Sequence, residues 1–180
     1  SYQAAPENRT KIRGTSCPIC AKERQTSFPE QCIYFYFKKQ YLQTENRYQL
    51  EGKELDIYIP ELKAGIEYDG KRFHTNREKE RKKDLFFLKK GIRVIRIKEY
   101  EGEKPQEEKD IIWIREKDNL FNNLSFAIRQ VCYLLTGDLN VEIIDFEEKR
   151  TEIWNLYCFS IKENSIAARH PEFLKEWNCE

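Results

Sequence analysis

The sequence predicts an α/β fold: a mixed β-sheet core flanked by helices, with a C-terminal α/β elaboration. Three observations carry this. Short alternating runs separated by turn residues crowd positions 48–69, helical and apolar strand patterns alternate from there onward, and 180 residues suffice for one substantial core with small appendages.

Residues 1–16 are polar and turn-rich and read as a loop leading into a Cys17-Pro18-Ile19-Cys20 knuckle. A helix is predicted over Thr26–Leu42. Ser27-Phe28-Pro29-Glu30 opens it with a capping-box spacing, and Pro is tolerated in a first helical turn. Its body, Ile33–Phe37, is apolar nearly all round and should be buried against a sheet. Strands follow at Tyr48–Leu50, Leu55–Ile59 and Ala64–Asp69, with turns at Glu51-Gly52 and Pro60, which makes a β-meander. A charged helix from Asn76 to Lys90 is stopped by Gly91, and Ile92–Ile97 reads as a central strand. After a polar connection, Tyr100–Asp110, come a strand at Ile111–Ile114, an amphipathic helix at Asp118–Thr136 closed by Gly137, a strand at Val141–Phe146 and a helix at Glu147–Phe159. No internal repeat or low-complexity tract interrupts this order.

No apolar run is long enough to span a bilayer and no apolar leader follows a basic N-terminus, so a soluble, cytoplasmic protein without membrane partners is expected. The chain has no methionine, which points to an excised piece of a longer polypeptide. Of six cysteines only Cys17 and Cys20 are closely spaced, while Cys32 and Cys132 fall in apolar helical patterns, so a reduced setting is expected. The net charge of +1 hides a segregation: residues 71–93 hold ten Lys/Arg against three Asp/Glu. Such a stretch is either a solvated helix face or a footprint for a polyanion.

The candidate chemistry lies in Glu54-Leu-Asp56-Ile-Tyr58-Ile-Pro60 and Ala64-Gly-Ile-Glu67-Tyr-Asp69-Gly70. Alternation puts Leu55, Ile57 and Ile59 on one strand face and Glu54, Asp56 and Tyr58 on the other. A hairpin with an even-numbered loop then sets Asp56 opposite Glu67 and Glu54 opposite Asp69. Like charges so placed are destabilising, and a divalent cation removes the repulsion. The alternatives are a solvated strand face or an odd-numbered turn that separates the acids.

Next come Lys71-Arg72-Phe73-His74, two cations and an imidazole beside the acids. In the following helix Arg81, Asp84, Leu85 and Leu88 share one face; the leucines should meet the sheet and carry Asp84 to its edge. Singly, His74 reads as a structural or surface histidine, and Asp84 as the partner of a neighbouring cation. Together they fit phosphodiester hydrolysis, with a metal on the phosphate, an imidazole for proton transfer and cations for phosphate oxygens. Lys71, Arg72, Arg77, Arg81 and Lys82 are the candidate nucleic-acid contacts.

Over residues 26–99 this ordered set resembles the very-short-patch-repair (Vsr-like) branch of the PD-(D/E)XK endonuclease superfamily, including the EDxHD homing endonucleases. The resemblance rests on a helix with Glu30, a strand with Asp56, Ile66-Glu67-Tyr68-Asp69-Gly70 leading to His74, Lys83-Asp84 with Leu88 and Gly91, and the strand Ile92–Ile97. It implies a restriction-endonuclease-like sheet and a Mg²⁺- or Mn²⁺-dependent endodeoxyribonuclease acting on DNA in restriction, repair or phage defence. A single site would nick one strand; a homodimer would cut both. The implied site is Glu30, Asp56, Glu67, His74 and Asp84, with Asp56 as principal metal ligand beside Glu67. His74 and Asp84 would handle the attacking water or leaving group. For Glu30 a capping role is the alternative. The superfamily's Glu-x-Lys element reads Glu67-Tyr68-Asp69, so no lysine stands there and proton transfer would fall to His74.

The ends resemble fragments of bacterial zinc-ribbon repeats: Arg9–Cys20 a closing half, Ser165–Trp177 the opening of the next. This implies ribbon-like segments at 1–24 and 161–180 around an endonuclease domain at 25–160, with further zinc-ribbon modules in the longer protein. Cys17 and Cys20 supply two of the four ligands of a structural Zn²⁺. They are half a site, a site completed by His170 or Cys179, or free thiols. The competing functions are a catalytically inactive nucleic-acid-binding module and a structural connector between zinc ribbons.

Overall fold

The computed structural model describes residues 27–70, 77–116 and 118–160, with side chains to 156. The chain divides into two compact units. The larger, Pro29–Lys149, holds nearly all of α1 (Phe28–Gln40), then β1 (Glu45–Leu50), β2 (Lys53–Ile59), β3 (Ala64–Asp69), α2 (Arg77–Lys89), β4 (Arg93–Tyr100), β5 (Ile111–Arg115) and α3 (Leu120–Thr136). In the other unit, Phe28 stands against Trp154 of α4 (Arg150–Ser160), ring centroids 5.6 Å apart. Among the described residues no helix is long and apolar enough to cross a membrane.

The five strands form one mixed sheet in the order β1-β2-β3-β4-β5, consistent with the expected restriction-endonuclease-like architecture. β1, β2 and β3 are the antiparallel meander, whereas β3, β4 and β5 run parallel. The β2–β3 loop is a short 3-10 turn, Pro60–Leu62, closed by Lys63 in the left-handed region. Its four residues set Ile57 opposite Ile66 and Ile59 opposite Ala64, the even-loop register. α2 ends at Gly91, whose φ of 79° suits glycine, and the Ile92 amide folds back to the Phe87 carbonyl. α3 is capped by the Asn119 side chain and closed by Gly137 at φ 78°.

The two sheet faces differ. Toward α1 and α3 the sheet is apolar, with Ile66, Ile95, Ile97, Ile112 and Ile114 buried beneath helices that meet where Tyr36 contacts Cys132. Toward α2 a small apolar cluster of Leu55, Phe87, Ile92 and Val94 gives way to a row of buried charges. That row overturns the expected orientation of α2. Leu85 and Leu88 are 56% and 59% exposed, while Glu80, Lys83, Asp84 and Phe87 turn inward. The sheet under this helix offers charges, so α2 presents its own charges to them and leaves its leucines outside.

Strand alternation also breaks, at Asp56. Leu55 packs with Phe87 and Val94, yet its neighbour-but-one Ile57 faces Ile66 on the opposite side of the sheet. The β1–β2 ladder pairs Asn46 with Ile57 and Tyr48 with Leu55 but skips the step between them, where Arg47 has φ 55°. Leu55, Ile57 and Ile59 therefore do not share one face. Irregularities of this kind re-aim a side chain, and here it is Asp56.

The chain at Val141–Phe146 is not a strand. Its carbonyls are taken by side chains: Tyr36 Oη donates to Glu142 O at 3.2 Å and Arg129 Nη1 to Val141 O at 2.8 Å, in place of any ladder. Asp145 Oδ1 then accepts the amides of Glu147 and Glu148, holding a turn, so the last helix begins at Arg150 rather than Glu147.

Candidate active site

The register carried one step past Ile57 and Ile66 puts Asp56 against Glu67, and the two meet. The Asp56 amide donates to Glu67 Oε1 at 3.3 Å, and the Tyr68 amide donates to Asp56 Oδ2 at 2.8 Å. Asp56 thus sits between the two faces of the sheet. Glu30, 4% exposed on α1, acts on it from one side and Lys83 of α2 from the other.

Both carboxyls are pushed well above the usual carboxylate range. For Asp56 the largest cause is burial, then the charge of Glu30; the Tyr68 amide and Lys83 pull the other way. For Glu67 it is burial, then the charge of Asp56, opposed by Lys83 and Arg96. Each acid disfavours ionisation of the next, as in carboxylate pairs that share a proton or a cation.

Cations close the pocket around Glu67. Lys83 Nζ lies 2.5 Å from Glu67 Oε2, and Arg96 Nη1 lies 3.5 Å from the same oxygen. Arg96, 3% exposed, also donates to Asp69 at 2.9 Å and makes two bonds to Asp84, at 2.7 and 3.0 Å. Burial works against its charge, but Asp84, Asp69 and Glu67 hold it firmly protonated. Lys98, 2% exposed, bonds Glu80 and stands 3.8 Å from Asp69. Parallel register brings these together, since Glu67 opposes Arg96 and Asp69 opposes Lys98.

Of the sequence-predicted residues, Asp56 and Glu67 meet, and Glu30 acts on Asp56 through its charge. Asp84 belongs to the same network but is gripped by Arg96. Glu54 does not oppose Asp69: it bonds Arg47 and Gln49 of β1, because β2 and β3 have stopped pairing before it. His74, Lys71, Arg72, Cys17 and Cys20 lie outside the described residues. Arg77, Arg81 and Lys82 are exposed on the outward side of α2, with Arg77 paired to Glu108 and Lys82 to Glu78. The cationic stretch is less open than its composition implies, for Lys83, Lys90 and Arg93 are engaged by Glu67, Glu51 and Asp110.

Sequence reasoning missed Arg96 and Lys98 and gave Lys83 no role. The signal for the first two was there: in β4, Val94, Arg96 and Lys98 alternate with Ile95 and Ile97, placing cations on one face of a central strand. Cys32 and Cys132 are free and buried, and burial pushes the Cys32 thiol up to about 12, which makes it unreactive. Among the described residues, no group of three His, Cys, Asp or Glu side chains is placed to hold a metal ion. The acidic donors that meet are the pair Asp56 and Glu67.

No family model matches the chain, and neither does any curated protein. Among solved structures it is similar to the catalytic domain of the homing endonuclease I-Bth0305I, with 18% identity and a TM-score of 0.41 over 61% of this chain and 94% of that one.

Proposed function

We propose that this chain is a metal-dependent endonuclease that hydrolyses phosphodiester bonds in DNA, of the Vsr-like kind its motifs resemble. The observation that carries the reading is the meeting of Asp56 and Glu67 in a buried setting that disfavours the ionisation of both. Two hard-oxygen donors suit Mg²⁺ or Mn²⁺, which takes one or two protein carboxylates and completes its shell with water and substrate phosphate. Asp56 and Glu67 would hold the ion, which when bound polarises the phosphate and acidifies a water.

The chain's own residues supply the rest. Glu30, whose charge acts on Asp56, would add to the negative field that draws a cation to it. Lys83 would take the part of the absent Glu-x-Lys lysine: its ammonium lies 2.5 Å from Glu67 and can swing to a phosphate oxygen, where it would stabilise developing negative charge. Arg96 fixes Glu67, Asp69 and Asp84 relative to one another. His74 is assigned proton transfer on the resemblance alone, and Arg81 with its cationic neighbours the backbone contacts that orient DNA.

Supercoiled plasmid in Mg²⁺ should be nicked, with the activity abolished by EDTA and by Asp56→Asn and lowered about a hundredfold by Lys83→Met. Cleavage by Asp56→Asn at the wild-type rate removes this mechanism. One observation favours the inactive binding module instead, namely that Arg96 holds Asp84 through two bonds. In that case the same preparation binds DNA with steep salt dependence and cuts nothing.

A further inference from the structure

A concavity lies at the carboxyl edge of the parallel strands, lined by none of the acids of the candidate active site. It is a cleft of about 530 Å³ where the C-terminal ends of β4 and β5 meet the first turns of α3, and it plays no part in the hydrolytic site described above. Its walls include three aromatic rings, Tyr100, Trp113 and Phe126, with the amide of Asn122, the carboxyl of Asp118 and two cations, Lys104, which pairs with Glu107 at 3.2 Å, and Arg115, which donates to the Gly102 carbonyl at 3.2 Å. We propose that this cleft receives a single nucleobase of the nucleic-acid strand that lies across the acids.

Position is the first argument. β3, β4 and β5 are parallel, so their carboxyl ends, at Asp69, Tyr100 and Arg115, open along one edge of the sheet. Register places Asp69, Lys98 and Trp113 in one row across these strands. At about 5 Å per strand, Trp113 stands roughly 10 Å from Asp69. Glu67 lies two residues back along β3, which puts Trp113 about 12 Å from it, and a strand with one phosphate over Asp56 and Glu67 spans that distance within about two nucleotides.

Composition is the second. Aromatic faces stack on any base, cations accept the flanking phosphates, and an amide can read a base edge. Phe126 is 50% exposed, so the fold leaves a large ring facing the cleft rather than burying it in the core. The volume holds a base with its sugar and excludes a duplex, so the base must be splayed from its partner or come from a single strand.

The proposal rests on the nuclease reading, since a base cleft at this edge has a use only when a strand crosses the acids. The test is separable from it. In EDTA, where hydrolysis is off, a dodecamer single strand with a central 2-aminopurine is titrated with the protein. Stacking in the cleft quenches the probe. Phe126→Ala and Asn122→Ala, both at exposed positions, should weaken binding, as should an abasic residue in place of the probe, about fivefold to a hundredfold for the ring or base. Equal affinity for the abasic strand, or an unchanged Phe126→Ala, overturns the proposal. So does displacement of the strand by micromolar dAMP, which would mark a free-nucleotide site instead. Plasmid nicking in Mg²⁺ decides the nuclease reading on its own: loss of nicking with quenching intact refutes hydrolysis, and nicking without quenching refutes the cleft.

Discussion

Replacing Asp56 by Asn should make the metal-free protein more stable at pH 8, where the Asp56–Glu67 pair is driven to ionise, although it removes the residue on which the proposed activity depends. Two carboxylates roughly 5 Å apart repel by about 3 kcal/mol at an effective dielectric of about 20. Lys83 and Arg96 offset part of this at Glu67, leaving about 1–2 kcal/mol to be recovered. Asn retains an oxygen for the Tyr68 amide, and its new NH2 group has the carboxylate of Glu67 beside it as an acceptor. In a domain of this size the gain corresponds to a rise in Tm of about 2–8 °C.

The effect has a direction in pH. Both carboxyls titrate higher in the folded chain than in the unfolded one, so the folded state binds more protons between the ordinary carboxylate range and the raised values. Stability from this pair is therefore present at the acid end and lost as pH rises through that window. Thermal melts in EDTA at pH 5 and pH 8 should show Asp56→Asn above wild type by a margin that is small at pH 5 and larger at pH 8. A variant less stable than wild type at pH 8 would refute the claim that the two acids oppose each other.

Two further outcomes follow from the packing. Arg96→Met leaves Glu67, Asp69 and Asp84 without their shared cation and should cost about 3–5 kcal/mol in urea unfolding; a loss below about 1 kcal/mol would mean the network is solvated. Gly65→Ala would bring a new Cβ to 2.7 Å from Leu55 Cδ1, forcing that side chain to shift within its buried cluster with Phe87, and should cost about 1–3 kcal/mol by the same measurement. A neutral result there would show that Leu55 does not lie over Gly65.

Local features were legible in the sequence because local rules govern them. The four-residue loop between β2 and β3 determines the register, and the register brings Asp56 to Glu67. Gly91 and Gly137 end helices where a left-handed residue is needed. What stayed hidden depends on partners distant in the chain. The leucines of α2 point outward because the sheet below is charged, a fact held in Arg96 and Lys98 of another strand. The turn of Asp56 out of strand alternation depends on Arg47 across the ladder. Val141–Phe146 has the alternation of a strand, but side chains of Tyr36 and Arg129 take the carbonyls a ladder would need.

The central claim is that Asp56 and Glu67 together hold one divalent cation. Isothermal titration with Mn²⁺ at pH 8 should show a single site in the wild-type chain, with affinity lowered at least tenfold in Asp56→Asn and in Glu67→Gln. Indistinguishable isotherms for all three proteins, or none with any heat of binding, would contradict the account.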